Sequence, residues 1–192
     1  MRELALSLNA SILGRARAGD LAAFEELMLQ HERMVLMTAL RVLGSREDAQ
    51  DAAQQVFLRL HKYLHQFRGD ASAEQVFTSW LYRMTINVCR DMQRQQKIGR
   101  ASVPLEEVRL VSLEQGPEEV LRAEEKRNIL LQALAELPEK EKSAVVLRDI
   151  QGLSTREVAG IMGTTEATVR SQVSEARWKM KKFADRYLKR RL

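Results

Sequence analysis

Cysteine occurs once in these 192 residues, at Cys89, so the chain can form neither an internal disulfide nor a cysteine-based zinc site. A lone thiol of this kind suits a reducing compartment, and its place beside an apolar stripe predicts packing rather than reactivity. Proline is nearly as scarce, with three residues, and glycine is limited to nine. With few breakers, abundant Ala, Leu, Glu, Arg and Gln, and no alternating polar–apolar run, the expectation is an all-α protein. No stretch of about eighteen apolar residues occurs that could span a bilayer. The N-terminus has only Arg2 before Glu3, and Ser7, Asn9 and Ser11 interrupt its apolar residues, which does not fit a secretory signal. A cytoplasmic location is therefore expected.

The familiar catalytic patterns are missing too. There is no Ser-His-Asp order, no phosphate-cradling glycine loop and no nucleophile elbow. His61 and His65 have the four-residue spacing of paired metal ligands. They lack the accompanying glutamate and any evident third ligand, so packing or surface roles are expected. No enzyme activity, metal, cofactor or small-molecule substrate is expected.

The most informative segment that is present runs from Ser154 to Arg177. Ser154 can cap a short helix, with Glu157 three residues on completing a capping box. Val158, Ile161 and Met162 give that helix an apolar face, and Gly163 permits a sharp exit. Thr164 or Thr165 can cap a second helix, in which Val169, Val173, Ala176 and Met180 repeat at i, i+4, i+7 and i+11. Arg170, Ser171, Gln172, Ser174 and Glu175 are then expected to face outward, as in a helix-turn-helix whose second helix lies in a major groove. The formal net charge is +5, and from Arg170 to Leu192 nine Lys/Arg stand against Glu175 and Asp185. A basic end beside such a helix suits contact with phosphate.

Upstream, three helices are expected. Asp20 can cap the first, which runs to about Val42 with Phe24, Leu27, Met28, Val35 and Ala39 inward. The second starts near Arg46 and carries Ala49, Ala52, Val56, Leu60 and Leu64. After a loop from Phe67 to Ser72, the third begins near Glu74 with Phe77, Leu81, Met84 and Val88 on one stripe. Trp80, Arg83, Asn87 and Arg90 share a neighbouring face. Periodicity fails between Lys97 and Pro117, a stretch punctuated by Gly99, Pro104 and Gly116. A further helix to about Leu137, stopped by Pro138, and a short one over Glu139 to Ile150 precede the helix-turn-helix. The expected domains are 20–96 and 118–192, joined by a linker at 97–117.

Three strings in this order resemble a bacterial RNA polymerase sigma factor of the small extracytoplasmic-function group, which keeps only sigma regions 2 and 4. Gly44 to Phe57 is similar to the region 2.2 helix. Phe67-Arg-Gly-Asp, Thr78-Ser-Trp-Leu-Tyr-Arg83 and Asn87 resemble regions 2.3 and 2.4. Leu137-Pro-Glu, Leu147-Arg-Asp, Gly152-Leu-Ser, Thr168-Val-Arg-Ser and Ala176-Arg resemble region 4.

The resemblance implies that Asp48, Asp51, Gln54, Gln55 and Phe57 meet core RNA polymerase at the β′ clamp, with further contact to its β subunit. Asp48 and Asp51 are three apart and share a face, although the same acids also suit a helix start. Gln55 stands where the family usually has Glu. The resemblance further implies that Phe67, Arg68, Gly69, Asp70, Trp80, Arg83, Asn87 and Arg90 form the −10 reader. Arg83 and Arg90 suit phosphate there, and Trp80 suits core packing. Ala73 to Val76 makes the reading loop about three residues longer than the family pattern. For the −35 element the matching residues are Arg170, Ser171, Ser174 and Glu175, with Thr168 and Arg177 on phosphate. Gln172 and Glu175 replace frequent arginines, so an altered −35 preference is expected.

The implied function is promoter recognition and strand opening in transcription initiation, within a stress response. An anti-sigma factor, in many cases membrane-anchored, is the implied inhibitor. A stand-alone helix-turn-helix regulator would instead bind duplex DNA without polymerase, usually as a dimer on paired half-sites. A helical metal hydrolase using His61 and His65 would need stoichiometric zinc.

Overall fold

A computed structural model describes residues 12–68, 73–99 and 117–189, and among these all regular structure is helical. Residues 12–17 are helical and bury Ile12, Leu13 and Ala16 in the core, ahead of the boundary placed at Asp20. Helix α1, Leu21–Leu43, starts where the Asp20 carboxylate accepts from the Ala23 amide at 3.1 Å. It ends at Gly44, whose φ of 78° would strain any side-chain-bearing residue. Helix α2, Arg46–Tyr63, is capped by Ser45 Oγ, which accepts from the Asp48 amide at 3.2 Å. A single 3-10 turn, Leu64–Gln66, closes it, and α3 follows as Ala73–Gly99.

These helices form the first cluster. Ala49, Ala52 and Ala53 of α2 present a small-residue face to α1, so Val35 and Ala39 approach closely with no exposure. Phe77, Leu81, Ile86 and Val88 of α3 complete the core. Ala73–Val76, expected to lengthen the reading loop, is instead the first turn of α3. Ala73 and Gln75 are adequate helix formers, and Glu74 complements the N-terminal dipole. The remainder of that loop, residues 69–72, lies outside the described residues, as does 100–116 of the expected linker.

The second cluster begins with α4, Pro117–Ala135, which stops two residues before the expected Leu137. Helix α5 is Glu139–Val145, and the chain then widens into a π-helical turn over Val146–Ile150 where a continued α-helix was expected. Gln151 N–H reaches the Val146 carbonyl at 2.9 Å, five residues back. Helices α6, Thr155–Met162, and α7, Glu166–Lys189, close the cluster over Leu134, Leu147, Val158, Val169 and Ala176. The two clusters meet where α3 packs on α6, and where α1 packs on α5 and the π turn.

Candidate functional site

The α6–α7 unit is built as the sequence predicts. Ser154 Oγ accepts from the Glu157 amide at 3.2 Å, and the Glu157 carboxylate accepts from the Ser154 amide at 2.7 Å. These bonds hold the Glu157 carboxyl below its ordinary pKa. Gly163 turns the chain at φ 65°. Of the two candidate caps it is Thr165 that works, its Oγ1 accepting from the Thr168 amide at 3.1 Å. Val169, Val173 and Ala176 are buried, which leaves Thr168, Arg170, Ser171, Ser174 and Glu175 exposed on the opposite side of α7. Gln172 departs from the expectation: it is half-buried at the edge of the apolar stripe, with its amide oxygen enclosed and unbonded.

Two arginines of this face carry partners. Arg170 donates to Glu166 at 3.0 Å, one helical turn before it. Arg177 donates from Nε and Nη2 to both oxygens of Asp149, at 2.8 and 2.7 Å. That fork raises the Arg177 pKa and ties the π turn to α7, so much of its donor capacity is already directed inward. Lys179 Nζ does the same for α5, bonding Glu141 at 2.7 Å.

On α3, Arg83 and Asn87 are exposed one turn apart, with Arg90 half-buried below them. Trp80 is also half-buried, in an aromatic group whose ring centroids lie 5.4 Å from Phe67 and 6.1 Å from Phe77. Phe67 was expected to belong to the reading loop, yet it is 7% exposed and packs edge-on to Phe77. Its burial fits the apolar cost of leaving an aromatic ring in water beside an open core edge. Arg17 Nη1 donates to the Phe67 carbonyl at 3.1 Å and pins this end of the loop. Arg68 is exposed, and Gly69 and Asp70 lie outside the described residues.

A cleft of about 510 Å³ opens between α1 and α2. Asp51, Gln54 and Phe57 line it, whereas Asp48 and Gln55 lie off its wall in half-buried positions. Its opposite wall was missed in the sequence: Glu25, Met28, Leu29 and Glu32 of α1. The available signal was Leu29, an apolar residue off the inward stripe of α1, and in the structure it is 68% exposed. An apolar floor with three carboxylates around it can accept a helix bearing both apolar and basic side chains.

The histidines have packing partners: the His61 ring meets Phe24 edge-on at 5.0 Å, and His65 stands 3.4 Å from the Gln66 amide nitrogen. Among the described residues no group of three His, Cys, Asp or Glu could hold a metal ion, and no helix is long and apolar enough to cross a membrane. Cys89 is buried, and desolvation pushes its thiol up to about 12.

Two family descriptions match the chain, "Sigma-70 region 2" over residues 27–98 and "Sigma-70, region 4" over 127–180. Among curated proteins, the ECF RNA polymerase sigma factor SigM of Mycobacterium tuberculosis is 35% identical across 88% of this chain and 81% of its own. Among solved structures, CnrH in complex with the cytosolic domain of CnrY is similar, with a TM-score of 0.65 and 25% identity over 92% of this chain and 97% of that one. The sigma factor RpoE of Bartonella quintana, solved with the anti-sigma factor NepR, has a TM-score of 0.63 at 18% identity, covering 84% of this chain and 96% of its own, and shares the fold.

Proposed function

The chain belongs to the extracytoplasmic-function sigma factors, which direct RNA polymerase to promoters, and we propose how its own residues divide that task. Residues 20–96 form the module for core polymerase and the −10 element, 118–192 the module for the −35 element, and 97–117 the connection between them. The observation that carries this division is a pair of exposed polar faces, one on α7 and one on α3, each backed by its own set of buried residues.

On the polymerase side, the acidic and apolar cleft takes a β′-clamp helix, with Asp51 and Gln54 on one wall and Glu25 and Glu32 on the other. Asp48 adds charge at the start of α2, and Phe57 supplies the floor. Helix α7 then enters the −35 major groove. Arg170 exchanges Glu166 for guanine, Ser171, Ser174 and Glu175 face base edges, and Thr168 meets phosphate. Arg177 holds the frame and offers its remaining donors to the backbone.

On the −10 side no covalent chemistry is needed. Strand opening proceeds when unpaired bases are held more favourably than stacked ones. Asn87 can pair with one base edge and Arg83, Arg90 and the exposed Arg68 with phosphates, and the family resemblance adds Gly69 and Asp70 to this reader. Trp80 and Phe67 shape it from behind. The protein works in the cytoplasm, where its polymerase is. An anti-sigma factor covers the polymerase-binding surfaces when the protein is held inactive, as the family resemblance implies; CnrH too was solved with a bound protein, the cytosolic domain of CnrY.

Transcription from genomic fragments with purified core polymerase tests the proposal. Promoter-specific transcripts are expected only when this protein is added, and Asp51→Arg is expected to abolish them through lost core affinity. Unchanged transcription by Asp51→Arg would remove the cleft from the polymerase contact.

A further inference from the structure

Trp178 is 56% exposed, near the middle of α7, and no core residue covers it. Burying an aromatic ring is among the most favourable steps in folding, so a tryptophan left in water on a rigid helix requires an account. Its position supplies one. Ser171, Glu175, Trp178 and Lys182 follow one another at i, i+4, i+7 and i+11. The buried Val169, Val173 and Ala176, with the half-buried Met180, repeat at the same spacing on the opposite side. Trp178 therefore continues the outward stripe of the −35 face, two turns beyond Ser171 and about 10 Å further along the axis.

The ring is also held in place. Lys182 Nζ lies 4.3 Å from the Trp178 ring centroid, a cation–π contact that fixes the indole along the helix surface. Exposed Lys181 lies beside it, whereas Arg177 and Lys179 on the same two turns are paired with Asp149 and Glu141. Lys181 and Lys182 make this end of the outward stripe positive, which disfavours a basic or purely apolar partner and favours a polyanion.

We propose that Trp178 and Lys182 form a backbone clamp on the promoter duplex. With Ser171 at base edges, seven residues carry the helix out to the rim of a major groove about 12 Å wide, where the phosphates of one strand stand. There the indole Nε1–H, a donor without acceptor capacity, bonds a phosphate oxygen while the ring lies against deoxyribose. Lys182 places its ammonium on the neighbouring phosphate. The clamp sets how deeply α7 enters the groove, and with it which base Arg170 and Glu175 can reach. The inference rests on the −35 role proposed for α7.

The test uses assembled holoenzyme and a labelled promoter duplex, titrated at several salt concentrations. Trp178→Ala is expected to weaken promoter binding about tenfold, the size of a lost hydrogen bond to a charged group. Trp178→Phe keeps a ring but no donor and should fall between. Lys182→Gln should lower the slope of log K against log salt by about 0.9, one phosphate's share. Fluorine-labelled tryptophan gives a direct readout: of two indole resonances, the one lost in Trp178→Phe should shift on duplex addition. Unchanged promoter affinity and salt slope would overturn the clamp. So would weakened assembly with core polymerase at unchanged promoter affinity, since the ring would then dock on protein. Arg170→Ala separates the two levels. If it leaves the −35 preference intact, the role of α7 itself fails; if it alters the preference while Trp178 and Lys182 variants are silent, only the clamp fails.

Discussion

Arg83 of α3 donates from its guanidinium to the main-chain carbonyl of Gly160 on α6, seventy-seven residues away. A side chain proposed to meet −10 DNA is thus engaged by the helix-turn-helix module. A second polar link lies nearby. Gln151 accepts from the Tyr82 hydroxyl at 3.2 Å and donates to Thr38 Oγ1 at 2.9 Å, joining the π turn to α3 and α1. Thr38 is fully buried, and its hydroxyl donates to the Met34 carbonyl at 2.7 Å.

Gln151→Ala is expected to loosen this junction, because Tyr82 and Thr38 lose a partner in a poorly hydrated place. An unsatisfied buried group of this kind costs about 1–3 kcal/mol. Small-angle scattering of the full chain should show a larger radius of gyration, and amides of α6 should exchange faster. A variant as compact and as protected as the parent would show that apolar packing alone holds the two clusters together.

Glu175 projects from the −35 face where an arginine would attract phosphate. Its carboxylate repels the backbone but can accept from cytosine N4, a discrimination of about 1–3 kcal/mol. Glu175→Arg is expected to change the preferred −35 sequence and to steepen the salt dependence of promoter binding. Selection from randomised −35 duplexes would check this, and an identical profile would refute a reading role for the residue.

The capping box makes α6 sensitive to acid. The folded-state pKa of Glu157 lies below its unfolded value, held down by its bonds to Ser154. Its contribution is therefore complete above the ordinary glutamate range of about 4.3 and is lost as pH falls through the folded value. Ser154→Ala should cost about 1 kcal/mol at neutral pH. Denaturant unfolding across acid pH should find that deficit shrinking as Glu157 protonates. A deficit independent of pH would mean that the serine bond alone matters.

Lys142 of α5 is only 8% exposed, and burial pushes its pKa down while Glu139 partly restores it. With a folded-state value below the unfolded one, the ammonium is penalised at neutral pH. Stability should then rise as pH climbs through the folded value toward the ordinary lysine range. Lys142→Met is expected to stabilise the chain by on the order of 1 kcal/mol, about 2–4 °C in Tm. Differential scanning calorimetry at neutral and alkaline pH would check it; a lower Tm would mean that the ammonium is bonded in a way methionine cannot replace.

What was legible in the residues is local in origin. Asp20, Thr165 and Ser154 each cap the helix that they precede, and Gly163 ends a helix at positive φ. Caps and turns depend on atoms a few bonds apart, so side-chain chemistry and spacing specify them. The buried stripes of α1, α2 and α7 follow for the same reason, since a 3.6-residue period shows itself in any sequence long enough to repeat it.

Other features depended on residues far apart in the chain. Phe67 left its loop for the core because Phe77 and Trp80 were there to receive it. Arg177 turned to Asp149 because the π turn carried that carboxylate within reach. The wall of Glu25, Met28 and Glu32 faces Asp51 only because the alanines of α2 let α1 come close. The amino-acid order by itself settled that the fold is helical, where most of the long helices begin and which stripe each one buries, but not the early end of α4 or the π turn after α5. Tertiary packing alone decided which charged and aromatic side chains remain available to a partner, because that choice is made by competition among neighbours that no local pattern brings together.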